Sequence, residues 1–129
     1  TLSLHDALPI LGYKFDTSEF DKESIWLKQP YRVRAGNGNV MWEFPLHVMD
    51  GYVLEHEAEK AKTKVLDALS RAQKEGCKYF TFLFHDIYFN EETFPMWVDF
   101  YKWFVNECET RNLEFTSYNK AIEELENGE

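Results

Sequence analysis

Cys77-Lys78-Tyr79-Phe80-Thr81-Phe82-Leu83-Phe84-His85-Asp86 is the stretch whose reading decides the fold. It reads as one apolar run that stops abruptly at a histidine and an aspartate. A strand covered on both faces looks like this, as in a parallel sheet under helices, so the run predicts a buried strand ending at His85-Asp86. In α/β folds the C-terminal strand ends open onto the ligand crevice, which makes this His-Asp pair the first place to look for chemistry.

On its N-terminal side, residues 54–75 carry Leu54, Ala58, Ala61, Val65, Leu69 and Ala72 at spacings of three and four, the pattern of an amphipathic helix. Gly76 supplies a left-handed C-cap, and helix, glycine turn and buried strand together make half of a βαβ unit. On the C-terminal side, Ile87-Tyr88-Phe89-Asn90 is an aromatic loop. Pro95 then opens a second helix striped with Trp97, Phe100, Tyr101, Phe104 and Cys108 and closed at Arg111-Asn112. Residues 113–116 read as a short strand, and residues 118–125 as a last helix carried by Ala121, Ile122 and Leu125.

Further upstream, residues 31–48 read as a hairpin in which Gly36-Asn37-Gly38-Asn39 provides positive φ for a tight or bulged turn. Period-two alternation is expected to put Val33, Val40, Trp42 and Phe44 on one face and Arg32, Arg34, Met41 and Glu43 on the other. Pro45 ends clean pairing, and residues 46–51 read as a bend out of the sheet. Tyr13 and Phe15 alternate in a short strand ending at Asp16, and residues 18–29 form a charged loop. Residues 1–10 start without Met and look like translated sequencing-adapter read-through at the end of a metagenomic contig. The expectation is a non-native leader, with the domain at residues 11–129 and the missing part of the gene upstream. The order strand, hairpin, helix, strand, helix, strand, helix argues α/β with mostly parallel strands.

At 129 residues the chain has the length of one domain, and 44% apolar with 17% aromatic residues is enough to bury a core. Eleven Phe, seven Tyr and four Trp suit a rigid aromatic core or an exposed aromatic surface of the kind sugar clefts use. A net charge of −9 argues against nucleic acid as a partner, whose binding rests on clustered Lys and Arg. Cys77 and Cys108 form no CxxC pair, so they read as reduced thiols and fit a cytoplasmic setting. No apolar segment approaches the ~20 residues of a membrane-spanning helix, and no signal-peptide layout is seen.

The histidines at 5, 47, 56 and 85 include no HExxH or HxxxH pair, so no complete metal site is visible. Ser18 lacks a GxSxG elbow, and the glycines at 36 and 38 join two strands rather than cradle phosphate before a helix. What remains is His85 with the carboxylates Asp16, Asp86, Glu43 and Asp50. A histidine at a strand end beside a carboxylate suits general acid catalysis; the same residue could instead cap the strand or pack on Trp97. Asp50 could be a turn former before Gly51, His47 a core or rim residue, and Glu43 a cleft lining or a solvent-facing residue.

Leu83-Phe84-His85, placed after a long helix and a glycine turn, resembles the Leu-x-His motif of the polysaccharide deacetylase family, also called the NodB-homology domain or carbohydrate esterase family four. Gly12-Tyr13-Lys14-Phe15-Asp16-Thr17-Ser18 is similar to that family's Gly-aromatic-x-Tyr-Asp-Ser-Ser segment, and Trp42-Glu43-Phe44-Pro45 to its Glu-hydrophobic-Pro segment. Phe115-Thr116-Ser117-Tyr118 before Ala121 is similar to its closing strand and helix, so the resemblance runs over residues 11–125.

The resemblance implies a partial (β/α) barrel of the deacetylase type with the hairpin inserted. It also implies metal-dependent hydrolysis of acetyl groups from a polysaccharide or amino sugar, with a divalent metal, often zinc, as cofactor. His85 would be the general acid and Asp16 the aspartate that tunes it, while Trp42, Glu43, Asp50 and Asp86 would contact the glycan. The family's Asp-Asp pair, its two metal histidines and its Arg-Pro-Pro-Tyr segment have no counterpart here. The fragment alone is therefore expected to bind no metal and to be inactive. Two alternatives stand beside this one: a non-catalytic carbohydrate-binding or interaction domain, and a glycosidase fragment using two carboxylates. An isolated half-barrel is also expected to self-associate through its unpaired edges.

Overall fold

A computed structural model describes residues 12–17, 19, 28–51 and 57–128. The leader expected at 1–10, most of the charged loop at 18–29, and Leu54 of the first helical stripe lie outside the described residues. The chain is mixed α/β and divides into two compact units, Thr1–Leu83 and Phe84–Glu129. The first holds β1 (Phe15–Asp16), β2 (Tyr31–Arg34), β3 (Val40–Glu43), β4 (Val48–Met49), α1 (Ala58–Lys74) and β5 (Phe82–Leu83). The second holds a 3-10 turn (Asp86–Phe89), α2 (Trp97–Thr110) and α3 (Tyr118–Asn127).

The hairpin forms where the glycines predict it. Gly38 takes φ +89°, its N–H donates to the Ala35 carbonyl, and Ala35 and Asn39 close the loop. The expected faces do not hold. Arg34 pairs with Val40 and Val33 with Met41, so Val33 shares a face with Tyr31, Met41 and Glu43, while Trp42 lies with Arg32 on the other. The connection between the strands sets this parity, and a one-residue change in register exchanges the two faces. β3 is the centre of a three-stranded sheet ordered β1-β3-β2, parallel to β1 and antiparallel to β2. Covered on both faces, it buries Met41, Trp42 and Glu43 alike.

Residues 46–51 do not simply bend away. Val48–Met49 begins a second sheet by pairing in parallel with Phe82–Leu83, and α1 connects the two strands, completing a βαβ unit. α1 buries Ala61, Val65, Ala68, Leu69 and Ala72, the stripe expected from its spacing. It ends as Gly76 predicts. At φ +72° the Gly76 N–H donates to Gln73 and the Cys77 N–H to Ala72, the two bonds of a Schellman cap.

The long strand expected from Cys77 to Asp86 is a correction: only Phe82–Leu83 pairs as a strand, and both residues are half-buried. The cause lies in where the backbone groups go. The N–H of Cys77 is used in the helix cap, those of Lys78 and Tyr79 donate to the Gln29 side-chain oxygen, and that of Thr81 donates to the His47 ring. The Gln29 amide also donates to the Tyr79 carbonyl at 3.0 Å, so one side chain stands in for a neighbouring strand. Gln29→Ala strands two backbone donors and is expected to cost about 1–3 kcal/mol, read as a shift of the urea midpoint at constant m-value.

In the second unit, α2 buries Trp97, Phe100, Phe104 and Cys108, with Tyr101 at the edge. Asn112 at φ +58° closes it with the same pair of cap bonds seen at Gly76. The strand expected at 113–116 does not form. Phe115 is largely exposed, and no described residue of this unit offers a strand for it to pair with. Ser117 instead caps α3, accepting from the Lys120 N–H at 3.1 Å. Of the described strand pairings β1–β3 and β4–β5 are parallel, and the described strands form two small sheets rather than a closed barrel.

Candidate functional site

Asp16, Glu43 and Tyr31 stand level across the first sheet. Asp16 ends β1 and Glu43 ends β3, paired in parallel register, and Tyr31 at the start of β2 is the partner of Glu43 on its other side. Register partners point to the same face, so a carboxyl, a second carboxyl and a phenol form one row at the C-terminal ends of the parallel strands. Glu43 is 0% exposed. Its Oε1 accepts from the Glu19 backbone N–H at 2.9 Å, and the Asp16 carboxyl is its register neighbour on β1. The Tyr31 hydroxyl donates to Glu19 Oε2 at 2.5 Å, and the Lys28 ammonium pairs with Glu19 Oε1 at 2.6 Å.

Burial dominates the electrostatics of this row. Desolvation, aided by the adjacent Asp16 carboxyl and the charge of Glu19, raises the Glu43 pKa to about 7 against the lowering effect of the Glu19 N–H. Desolvation and the Glu19 hydrogen bond likewise hold the Tyr31 phenol above its ordinary range, with Glu43 and Asp16 adding charge. A carboxyl that changes charge near neutral pH can act as an acid or a base there.

His47 and Asp50 are also buried, at 1% and 0% exposed. The His47 ring stacks on Phe80 with centroids 4.8 Å apart, and its Nδ1 accepts from the Thr81 N–H, which assigns the remaining proton to Nε2. Burial lowers its pKa, so the ring is neutral; the Lys28 and Thr81 backbone groups pull the other way. Its Nε2 lies toward the Lys28 carbonyl without a well-formed hydrogen bond among the described residues. Asp50 accepts from the Gly51 N–H at 2.7 Å, a local turn contact. Trp42 is buried on the opposite face from Glu43, beside its register partner Phe15 and under the Arg32 guanidinium at 5.1 Å.

His85 and Asp86 belong to the second unit. His85 occupies the cap position before the 3-10 turn in extended conformation, with its ring edge-on to Tyr88 at 6.2 Å. Both residues are exposed. The packing on Trp97 that the sequence allowed for His85 is made instead by Phe84, at 4.9 Å.

Sequence reasoning missed Tyr31 and Glu19. Counting the hairpin register from its five-residue connection would have found Tyr31 opposite Glu43, whereas nothing local marks Glu19. Among the described residues no three His, Cys, Asp or Glu side chains gather in a way that could hold a metal ion. None of the described helices is long and apolar enough to cross a membrane. Cys77 and Cys108 are not joined in a disulfide. Comparison with protein-family models, curated proteins and solved structures finds no match to this chain.

Proposed function

We propose that this chain is the C-terminal part of a polysaccharide deacetylase-like (β/α) barrel that removes acetyl groups from a polysaccharide or amino sugar. The carrying observation is the position of His85, whose exposed imidazole comes two residues after the parallel-paired strand β5. An α/β protein presents ligand-facing groups just past its strand ends, and this is also where the Leu-x-His resemblance puts the general acid. In this reading His85 protonates the leaving group as the acyl bond breaks; Asp16, the carboxylate that the resemblance pairs with it, belongs to the other unit. Trp42, Glu43, Asp50 and Asp86 remain proposed contributors to glycan binding; the first three are buried and would shape their own unit rather than touch the sugar, which leaves Asp86, exposed next to His85, as the direct contact.

The resembled family uses a divalent metal, often zinc. The described residues do not fit one, since they assemble no ligand set for it. The described residues supply the acid side of the proposed chemistry.

The test is deacetylation of acetylated chito-oligosaccharides by the protein expressed from its complete gene. His85→Ala is expected to lower kcat about 10²–10⁴-fold with little change in oligosaccharide affinity. An unchanged kcat would remove the acid role. The second reading, a carbohydrate-binding domain without catalysis, is favoured by the exposed rings of Tyr13, Phe89 and Phe115. Oligosaccharide binding with no acetate released by the wild type would select it.

A further inference from the structure

We propose that His47 is an acid-sensitive latch within the first unit: its neutral ring holds the Thr81 backbone, and a second ring proton releases Thr81 together with the β4–β5 pairing. The latch does not depend on the acid role given to His85.

The grip is two-sided. The His47 main-chain N–H donates to the Thr81 carbonyl at 2.9 Å, and the Thr81 N–H donates back to His47 Nδ1, also at 2.9 Å. One residue thus satisfies both polar groups of the Thr81 backbone, and it extends by one position a sheet whose register pairs are Val48–Phe82 and Met49–Leu83. The ring is 1% exposed and stacks on Phe80. An imidazole nitrogen that accepts a hydrogen bond carries no proton, so this geometry requires the neutral ring with its one proton on Nε2. An imidazolium carries a proton on both nitrogens. Its Nδ1–H would face the Thr81 N–H, donor against donor, and its charge would lie on a buried ring whose Nε2 has no acceptor among the described residues.

The surroundings of the ring do not favour the cation. Phe80 and Thr81, from the segment before β5, carry no charge. Asp50, three residues further along the His47 segment, accepts from the Gly51 N–H; the Lys28 ammonium pairs with Glu19, and the Lys78 ammonium lies over the Tyr79 ring. Burial is the largest influence on the proton affinity of the ring and lowers it, and the opposing groups are the backbones of Lys28 and Thr81 rather than a carboxylate. The second proton is therefore taken up in the open form, where the ring meets water. The neighbouring grip on the Lys78 and Tyr79 N–H groups is made by the Gln29 amide, which does not titrate, so the pH sensitivity is confined to the His47 end. Acid thus loosens residues 81–83, the segment that leads to His85.

Nitrogen-15 NMR of the histidine rings and amide hydrogen exchange in this chain test the latch. At about pH 7.5 His47 is expected to show a protonated Nε2 and an unprotonated Nδ1. Between about pH 7.5 and about pH 5 the protection of the Thr81 amide, corrected for its intrinsic exchange rate, is expected to fall about 30-fold. This is the effect of one proton taken up by a group that titrates near 6.5 when open. The Val65 amide in α1 is expected to lose less. His47→Asn offers an amide oxygen in place of Nδ1 and takes up no proton, so its Thr81 protection is expected to stay level over the same range. A proton on Nδ1 at neutral pH, Thr81 protection that does not fall, or a Val65 amide that falls as far as Thr81 would overturn the latch, as would a His47→Asn chain with the wild-type pH dependence. If that variant does not fold, the wild-type ring spectra and exchange rates decide between these outcomes by themselves.

Discussion

Trp97→Ala is expected to lower the stability of the second unit by about 3–5 kcal/mol. Trp97 is 0% exposed and is the hub of the aromatic cluster there. It stacks on Phe100 at 5.4 Å and meets Phe84 at 4.9 Å, Tyr88 at 5.7 Å and Phe89 at 6.4 Å. Removing the indole takes away the transfer energy of a large ring and leaves a cavity that these stiff side chains, joined across α2 and the 3-10 turn, cannot collapse to fill. Trp97→Phe is the informative control. The indole N–H is buried without an acceptor among the described residues, so phenylalanine deletes an unsatisfied donor along with part of the ring. Its expected cost is below about 1.5 kcal/mol. Urea denaturation followed by near-UV circular dichroism checks both, and equal losses for the two variants would show that shape rather than volume governs the cluster.

Glu43→Gln is expected to match wild-type stability near pH 4.5 and to exceed it at about pH 8.5 by on the order of 3 kcal/mol. The folded state raises the Glu43 pKa from 4.5 to about 7, so the native protein binds this proton more tightly than the unfolded chain does. The resulting stabilisation is complete below 4.5, shrinks as pH rises and is gone above about 7. Glutamine imitates the protonated form throughout and does not lose it. His47 has the opposite sign: its pKa is lowered by burial, so its contribution is present above 6.5 and lost as pH falls. Because both chains carry His47, its slope cancels in the difference between them. Chemical denaturation of the two proteins at matched pH values checks this, and a difference that does not grow with pH would mean that Glu43 titrates in its ordinary range.

The parts of the fold legible in the sequence are those governed by neighbours within one or two turns. α1 and α2 follow their apolar stripes because residues three and four apart share a helix face. Gly76 and Asn112 stop these helices because a left-handed conformation is set by the residue itself, and Gly38 turns the hairpin for the same reason. Asp16 likewise ends its strand as the alternation of Tyr13 and Phe15 predicts. The aromatic run at 77–86 was legible as extended backbone but not in its pairing. Whether its N–H groups would meet a strand or the side chains of Gln29 and His47 depends on residues 50 and 34 positions away.

The candidate site divides along the same line. His85 and the aspartates could be singled out from type and place only as candidates, because an ionisable group near a strand end can equally cap it or form a turn, as Asp50 does with the Gly51 N–H. Glu43 shows what that reasoning lacks. Its alternation with Trp42 says only that the two point to opposite faces, and which of them meets Tyr31 follows from the register of β2 on β3. That it meets Asp16 follows from β1 lying beside β3. The residue types at 16 and 43 are a property of the chain. Their shared environment, and the raised pKa of Glu43 that results, is a property of the sheet, because desolvation and charge coupling depend on distance in space and not on separation in sequence.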